Sequence, residues 1–106
     1  MITYQVEVVV PNELVEKWCS YMTSEHIDDV VRTGYFTSAR LVHVTEPAIE
    51  GSVVFRVIYT ATSHQDLETY RRECAPALQA HHTAMFGDSV KATRSITEDV
   101  WKTSIP

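Results

Sequence analysis

From Ile2 to Val10 apolar and polar positions alternate, with Ile2, Tyr4, Val6, Val8 and Val10 on one side and Thr3, Gln5 and Glu7 on the other. That period of two predicts a strand buried on one face. Pro11-Asn12 stops the pattern and offers an N-cap, and the run from Glu13 to Thr33, free of Gly and Pro, is expected to form one long helix closed by Gly34. On a wheel of 100° per residue Val15, Trp18, Cys19, Met22, His26 and Val30 share a side, with Asp29 among them, so a polar pair interrupts the apolar stripe. Two β-rich runs, Ser38 to Thr45 and Gly51 to Ala61, flank the turn-forming linker at 46–50 and read as antiparallel strands. Ser63 with Asp66 three residues on opens a second helix, which Pro76 kinks or restarts after Ala75. Leu78, His82 and Phe86 lie on one face of the restarted part, Gly87 ends it, and Val90 to Thr97 supplies a last strand.

The order β-α-β-β-α-β predicts an α+β domain of the ferredoxin-like split βαβ type, a four-stranded antiparallel sheet with both helices on one face. Residues 1–97 are expected to form this single domain and 98–106 a C-terminal tail. The face of the sheet away from the helices carries Gln5, Glu7, Val9, Arg40, Val42, Val44, Val54, Arg56, Ile58, Lys91 and Thr93. That mixture is too apolar for a free surface and too charged for a dry core, so a homodimer through the two sheet faces is expected.

Composition narrows the function without naming it. The chain has 106 residues, with nine Lys and Arg against fourteen Asp and Glu, and the resulting net charge of -5 removes the general attraction to nucleic acid or anionic lipid. RNA recognition by this topology needs stacking aromatics on the outer face of the central strands and a K/R-G-F/Y-G/A-F-V-x-F/Y run on the third, where this chain has Thr3, Gln5, Glu7 and the run Glu50-Gly51-Ser52-Val53-Val54-Phe55-Arg56-Val57. Iron–sulfur binding needs about four cysteines, and only Cys19 and Cys74 are present. They show no pairing motif and read as small apolar residues on helices. No leader-like start and no membrane-length apolar run is seen, which points to a cytoplasmic protein with no membrane partner.

Met1-Ile2-Thr3-Tyr4, Trp18 with Met22 and Glu25-His26-Ile27, Gly34-Tyr35-Phe36-Thr37-Ser38-Ala39-Arg40, Tyr70, Ala75-Pro76-Ala77-Leu78, His82 and Phe86-Gly87 together resemble an uncharacterised family of small bacterial proteins. It is a domain-of-unknown-function family in the dimeric α/β-barrel superfamily that also holds the antibiotic-biosynthesis monooxygenases. The resemblance runs to about Thr97 and implies the fold and a dimeric barrel, while it carries over no catalytic residues. Cys74 departs from the His that many relatives carry there. Superfamily members that degrade haem have an Asn on the first strand, and this first strand has none.

His26 and His82 lie on the apolar faces of two helices that cover one sheet. Three readings stay open: structural core histidines, a functional pocket, and a metal site with Asp29, for which no H-x-x-x-H spacing speaks. In the pocket reading His26, His82 and Asp29 are the candidate catalytic groups, with Asp29 orienting the His26 imidazole. Tyr4, Trp18, Met22, His26, Tyr59, His82 and Phe86 are the candidate ligand-binding residues. No metal and no cofactor is expected. His43 is placed at the pocket rim, while His81 and His64 are assigned to solvent. The function expected is a helix-sheet cavity for a small apolar or aromatic ligand. The alternative is a cofactor-independent monooxygenase or isomerase acting on an aromatic or polyketide-like molecule.

Overall fold

Tyr4, Val8 and Val10 turn inward from strand β1 (Ile2–Pro11), the central strand against which the rest of the chain assembles. The computed structural model describes residues 1–106. Strands β2 (Phe36–Val44), β3 (Ser52–Ala61) and β4 (Lys91–Glu98) complete one antiparallel sheet in the order β2-β3-β1-β4, the arrangement of the ferredoxin-like α+β fold. Tyr4 stands opposite Tyr59, Val6 opposite Val57 and Val8 opposite Phe55, so one face of the sheet is a continuous apolar floor. Helices cover that floor. Trp18 stacks on Phe55 at 5.0 Å between ring centroids, and Tyr70 meets Tyr4 and Phe36 edge-on.

The first helical run departs from a single α-helix. Asn12 makes no side-chain cap; the strand continues through Pro11, and Asn12 begins a short tight turn (Asn12–Leu14), its N–H donated instead to the Gly51 carbonyl. Helix α1 (Val15–Tyr21) then passes through one wide turn (Met22–His26) into α2 (Ile27–Val31), the Ile27 N–H reaching back five residues to the Met22 carbonyl. A wide turn inserts one residue into the helix, and one residue is about 100° of phase. Everything after it is therefore rotated against the simple wheel, which turns Val30 fully inward and Asp29 out to solvent. Gly34, at φ +91°, ends the run in a conformation open to glycine.

Strand β2 begins two residues earlier than its β-rich pattern, because a bulge at Thr37 changes the phase. Phe36, ahead of the bulge, faces the helices beside Tyr4 and Tyr59, and after it Ala39 and Leu41 take over that face. Ser63 caps α3 (His64–Glu73) by accepting the Asp66 N–H. The chain bends at Cys74 and restarts as α4 (Ala75–Phe86) with Pro76 in its first turn, where the missing N–H costs nothing. Residues 99–106 carry no regular structure, and Val100, Trp101 and Ile105 are exposed. No helix is long and apolar enough to cross a membrane.

Candidate functional site

Between α2, α4 and the sheet lies a cavity of about 500 Å³, within the range usual for small-ligand sites. Tyr4 and Tyr59 form its floor, Met22 and His26 enter from the wide turn, and His82 enters from α4. The ring centroids of His26 and His82 are 5.8 Å apart, near edge-on.

Trp18 and Phe86 are not part of the wall. Trp18 is wholly buried behind His82 and donates its indole N–H to His82 Nε2 at 3.0 Å, and Phe86 packs against His82 and Tyr21. An indole N–H can only donate, so His82 Nε2 holds a lone pair and the neutral ring carries its proton on Nδ1. Burial first, and the Arg94 charge second, push the His82 pKa below the ordinary imidazole value.

Asp29 does not orient His26. It is exposed, and Nδ1 of His26 faces the Tyr21 hydroxyl at 3.3 Å. The same hydroxyl lies 2.8 Å from Nδ1 of His81, whose ring is therefore held at its inner edge although the residue is exposed on the surface. One hydroxyl has one proton, so Tyr21 donates to one imidazole and accepts from the other. The tautomers of His26 and His81 are thereby coupled. Burial lowers the His26 pKa to about 4, with the neighbouring His82 charge as the next cause; the field of Asp29 acts the other way. Burial also raises the Tyr21 pKa, helped by Glu25 and Asp29. At neutral pH the imidazoles of His26 and His82 are uncharged and the phenol is protonated.

Tyr70 of α3 and Arg94 of β4 also line the cavity, and the sequence pattern did not single them out for it. Burial, then the neighbouring tyrosines, raises the pKa of Tyr59, while Tyr70 is raised by burial, then Tyr4 and Cys74; Arg94 opposes both shifts. Tyr59 and Tyr70 are thus neutral phenols, each with its ring 6.1 Å from that of Tyr4. The alternation of β4 contained the signal for Arg94: with Thr93 and Ser95 on one side, Arg94 takes the helix-facing side with Ala92, opposite Val6. Gln79, Thr83, Asp88 and Lys91 complete the polar part of the wall. His43 lies outside the cavity against Phe55, and His64 pairs with Glu98 on the surface. His26, His82 and Asp29 do not converge on a metal position; no three His, Cys, Asp or Glu side chains do.

Solved structures of other proteins share the fold. An ethyl tert-butyl ether D (EthD) family protein from Bacillus halodurans superposes with a TM-score of 0.67 at 12% identity, over 94% of this chain and 100% of that one. The cofactor-independent oxygenase SnoaB from Streptomyces nogalater superposes at 0.59 with 14% identity, over 99% and 97% of the two chains. A dimeric ferredoxin-like protein from an uncultured marine organism does so at 0.57 with 13% identity, over 96% and 97%. At such identities the likeness is one of fold. No curated protein matches the chain by sequence. Residues 1–100 match the domain of unknown function DUF4286, and the chain belongs to that family.

Proposed function

We propose that this protein is a homodimer whose helix-sheet cavity binds a small aromatic molecule. The observation that carries the reading is the cavity's composition: the rings of Tyr4 and Tyr59 as a floor, Tyr70 edge-on beside them from α3, and two uncharged imidazoles 5.8 Å apart as its polar wall. Aromatic walls with a few convergent polar groups suit a planar ligand with one or two heteroatoms. Native mass spectrometry of the protein purified from its own host tests this. A small-molecule adduct that leaves on denaturation is expected. An adduct-free protein that no member of an aromatic panel protects against heat overturns the reading.

The dimer rests on the outer sheet face, where Val9, Val42, Val44, Val54 and Ile58 surround the Glu7–Arg56 ion pair at 2.6 Å. A two-fold axis makes such a mixed patch complementary to itself. One of the fold neighbours is a dimeric protein, which supports the same arrangement. A cytoplasmic setting belongs to this proposal, and the free thiols of Cys19 and Cys74 suit a reducing compartment.

One observation favours a second, enzymatic reading, that of a cofactor-independent oxygenase or isomerase. His26 is an uncharged base beside the cavity, linked through Tyr21 to His81 at the surface. A proton taken from a ligand at His26 Nε2 releases the Nδ1 proton to the Tyr21 oxygen, and Tyr21 passes its own proton to His81 Nδ1. Turnover abolished by His26→Gln with ligand binding retained supports this reading. Retained turnover removes it.

A further inference from the structure

The cavity wall carries charge. On a chain of net charge -5, Arg94 brings a cation to it from the helix-facing side of β4 and Asp88 a carboxylate, while Lys91, though in the lining, belongs to the opposite side of the strand with Thr93. No carboxylate lies within 4 Å of the Arg94 guanidinium; Arg56, Arg71 and Arg72 each hold one, and the other unpaired arginines, Arg32 and Arg40, lie outside the cavity. Arg94 extends from the helix-facing side of β4, in line with Val90 and Ala92, where packing alone would favour another apolar residue. Arg94 is exposed, so it stands at the mouth of the cavity it lines, beside Val6 and across from His82.

The remaining polar lining is rich in donors. Tyr59 and Tyr70 stay protonated, so each offers an O–H, and the Tyr4 ring lies 6.1 Å from both of theirs. None of these hydroxyls is sealed from the cavity without a partner. Phenol donors and an unpaired guanidinium around aromatic walls match a planar ligand that ends in a carboxylate. A guanidinium binds that group through two parallel hydrogen bonds, and a phenol shortens its hydrogen bond when the acceptor is charged.

We propose that the cavity selects aromatic carboxylates, with Arg94 as the residue that binds the anionic end and the tyrosine hydroxyls as its supporting donors. The proposal rests on the reading of the cavity as a site for aromatic ligands, and adds the ligand's charge. Arg94 is a specificity residue here, its planar fork suited to a carboxylate.

Isothermal titration of the full chain with 2-naphthoate and with its uncharged counterpart 2-naphthamide tests the charge separately from the cavity. The wild-type protein is expected to bind naphthoate at least ten-fold more tightly than naphthamide, with the preference shrinking as salt is added. Arg94→Gln should erase the preference and leave naphthamide within two-fold, while Arg94→Lys should keep part of it. Thermal melting of each variant checks that it is folded. Naphthamide bound as tightly as naphthoate by the wild type, or both weakened equally by a folded Arg94→Gln, overturns the selection for carboxylate and leaves the aromatic cavity standing. Failure of both compounds to bind the wild type overturns the cavity reading and this proposal together.

Discussion

Nε1 of Trp18 donates to Nε2 of His82 across 3.0 Å, tying the first helix to the last at a point directly behind the cavity. The bond does two things at once. It gives a wholly buried indole N–H its partner, and it denies His82 a proton on the nitrogen that would otherwise gain one on charging. The His82 ring is therefore placed, and its tautomer set, by a residue that never touches the cavity.

Trp18→Phe keeps most of the buried area but leaves His82 Nε2 without its donor. The expected cost is ~1–2 kcal/mol in urea denaturation, and the ¹⁵N shifts of His82 should show the Nδ1–H tautomer losing its dominance. Trp18→Ala removes the ring stacked on Phe55 as well and should cost ~3–5 kcal/mol. A loss below about 1 kcal/mol for the alanine variant would contradict a fully packed indole.

Acid should destabilise the protein through His26. Its pKa is about 4 in the folded chain against an ordinary imidazole value of 6.5, so between those values the unfolded chain binds more protons and stability falls as the pH drops. The contribution is complete above about pH 6.5 and is gone below about pH 4. The whole shift corresponds to roughly 3 kcal/mol; the ring is partly open to solvent, and screening brings the expected loss to ~1–2 kcal/mol. His82 titrates in the same direction. Denaturation of the wild type and His26→Gln across this range checks it: the mutant's stability should depend less on pH, and the two curves should converge in acid.

The strands and the two covering layers were legible because their signals are local. Alternation in Ile2–Val10 survives any tertiary context, and Ser63 with Asp66 names a helix start by its own chemistry. Two departures, the position of Asp29 and the early start of β2, each came from one extra residue. The wide turn at Met22–His26 turned Asp29 outward and brought His26 to Tyr21, and the bulge at Thr37 put Phe36 and Ala39 on one face. Neither insertion changes composition or local propensity, so a wheel or a ladder of constant pitch passes over it. Tyr21 and Tyr70 were missed for a related reason, since each is one aromatic residue on a helix whose neighbours in space come from distant parts of the chain.

Tyr21→Phe tests the coupling of the two imidazoles. The phenyl ring still fits among His26, His81 and Phe86, so the expected loss of stability is ~1 kcal/mol, that of the hydroxyl's hydrogen bonds alone. In the wild type, replacing His81 by Ala should shift the tautomer balance of His26, because Tyr21 then has a single imidazole to satisfy. In the Tyr21→Phe background the same replacement should leave His26 unchanged. Long-range ¹H–¹⁵N spectra report both tautomers directly.

Ile58→Asp tests the dimer through the sheet. Ile58 is paired with Gln5 and Arg40 in the centre of the outer face, where it is only half-buried in the single chain. The fold itself should lose little, since the side chain takes no part in the core beneath the helices. In a two-fold dimer every substitution occurs twice, so two carboxylates become buried at the interface. At roughly 1.5 kcal/mol for each, the dimer should weaken by about 100-fold. Light scattering at micromolar concentration should give twice 12.0 kDa for the wild type and a mass falling toward 12.0 kDa for the variant. A wild type already at the single-chain mass would mean that the half-buried Val42 and Ile58 face water or another partner.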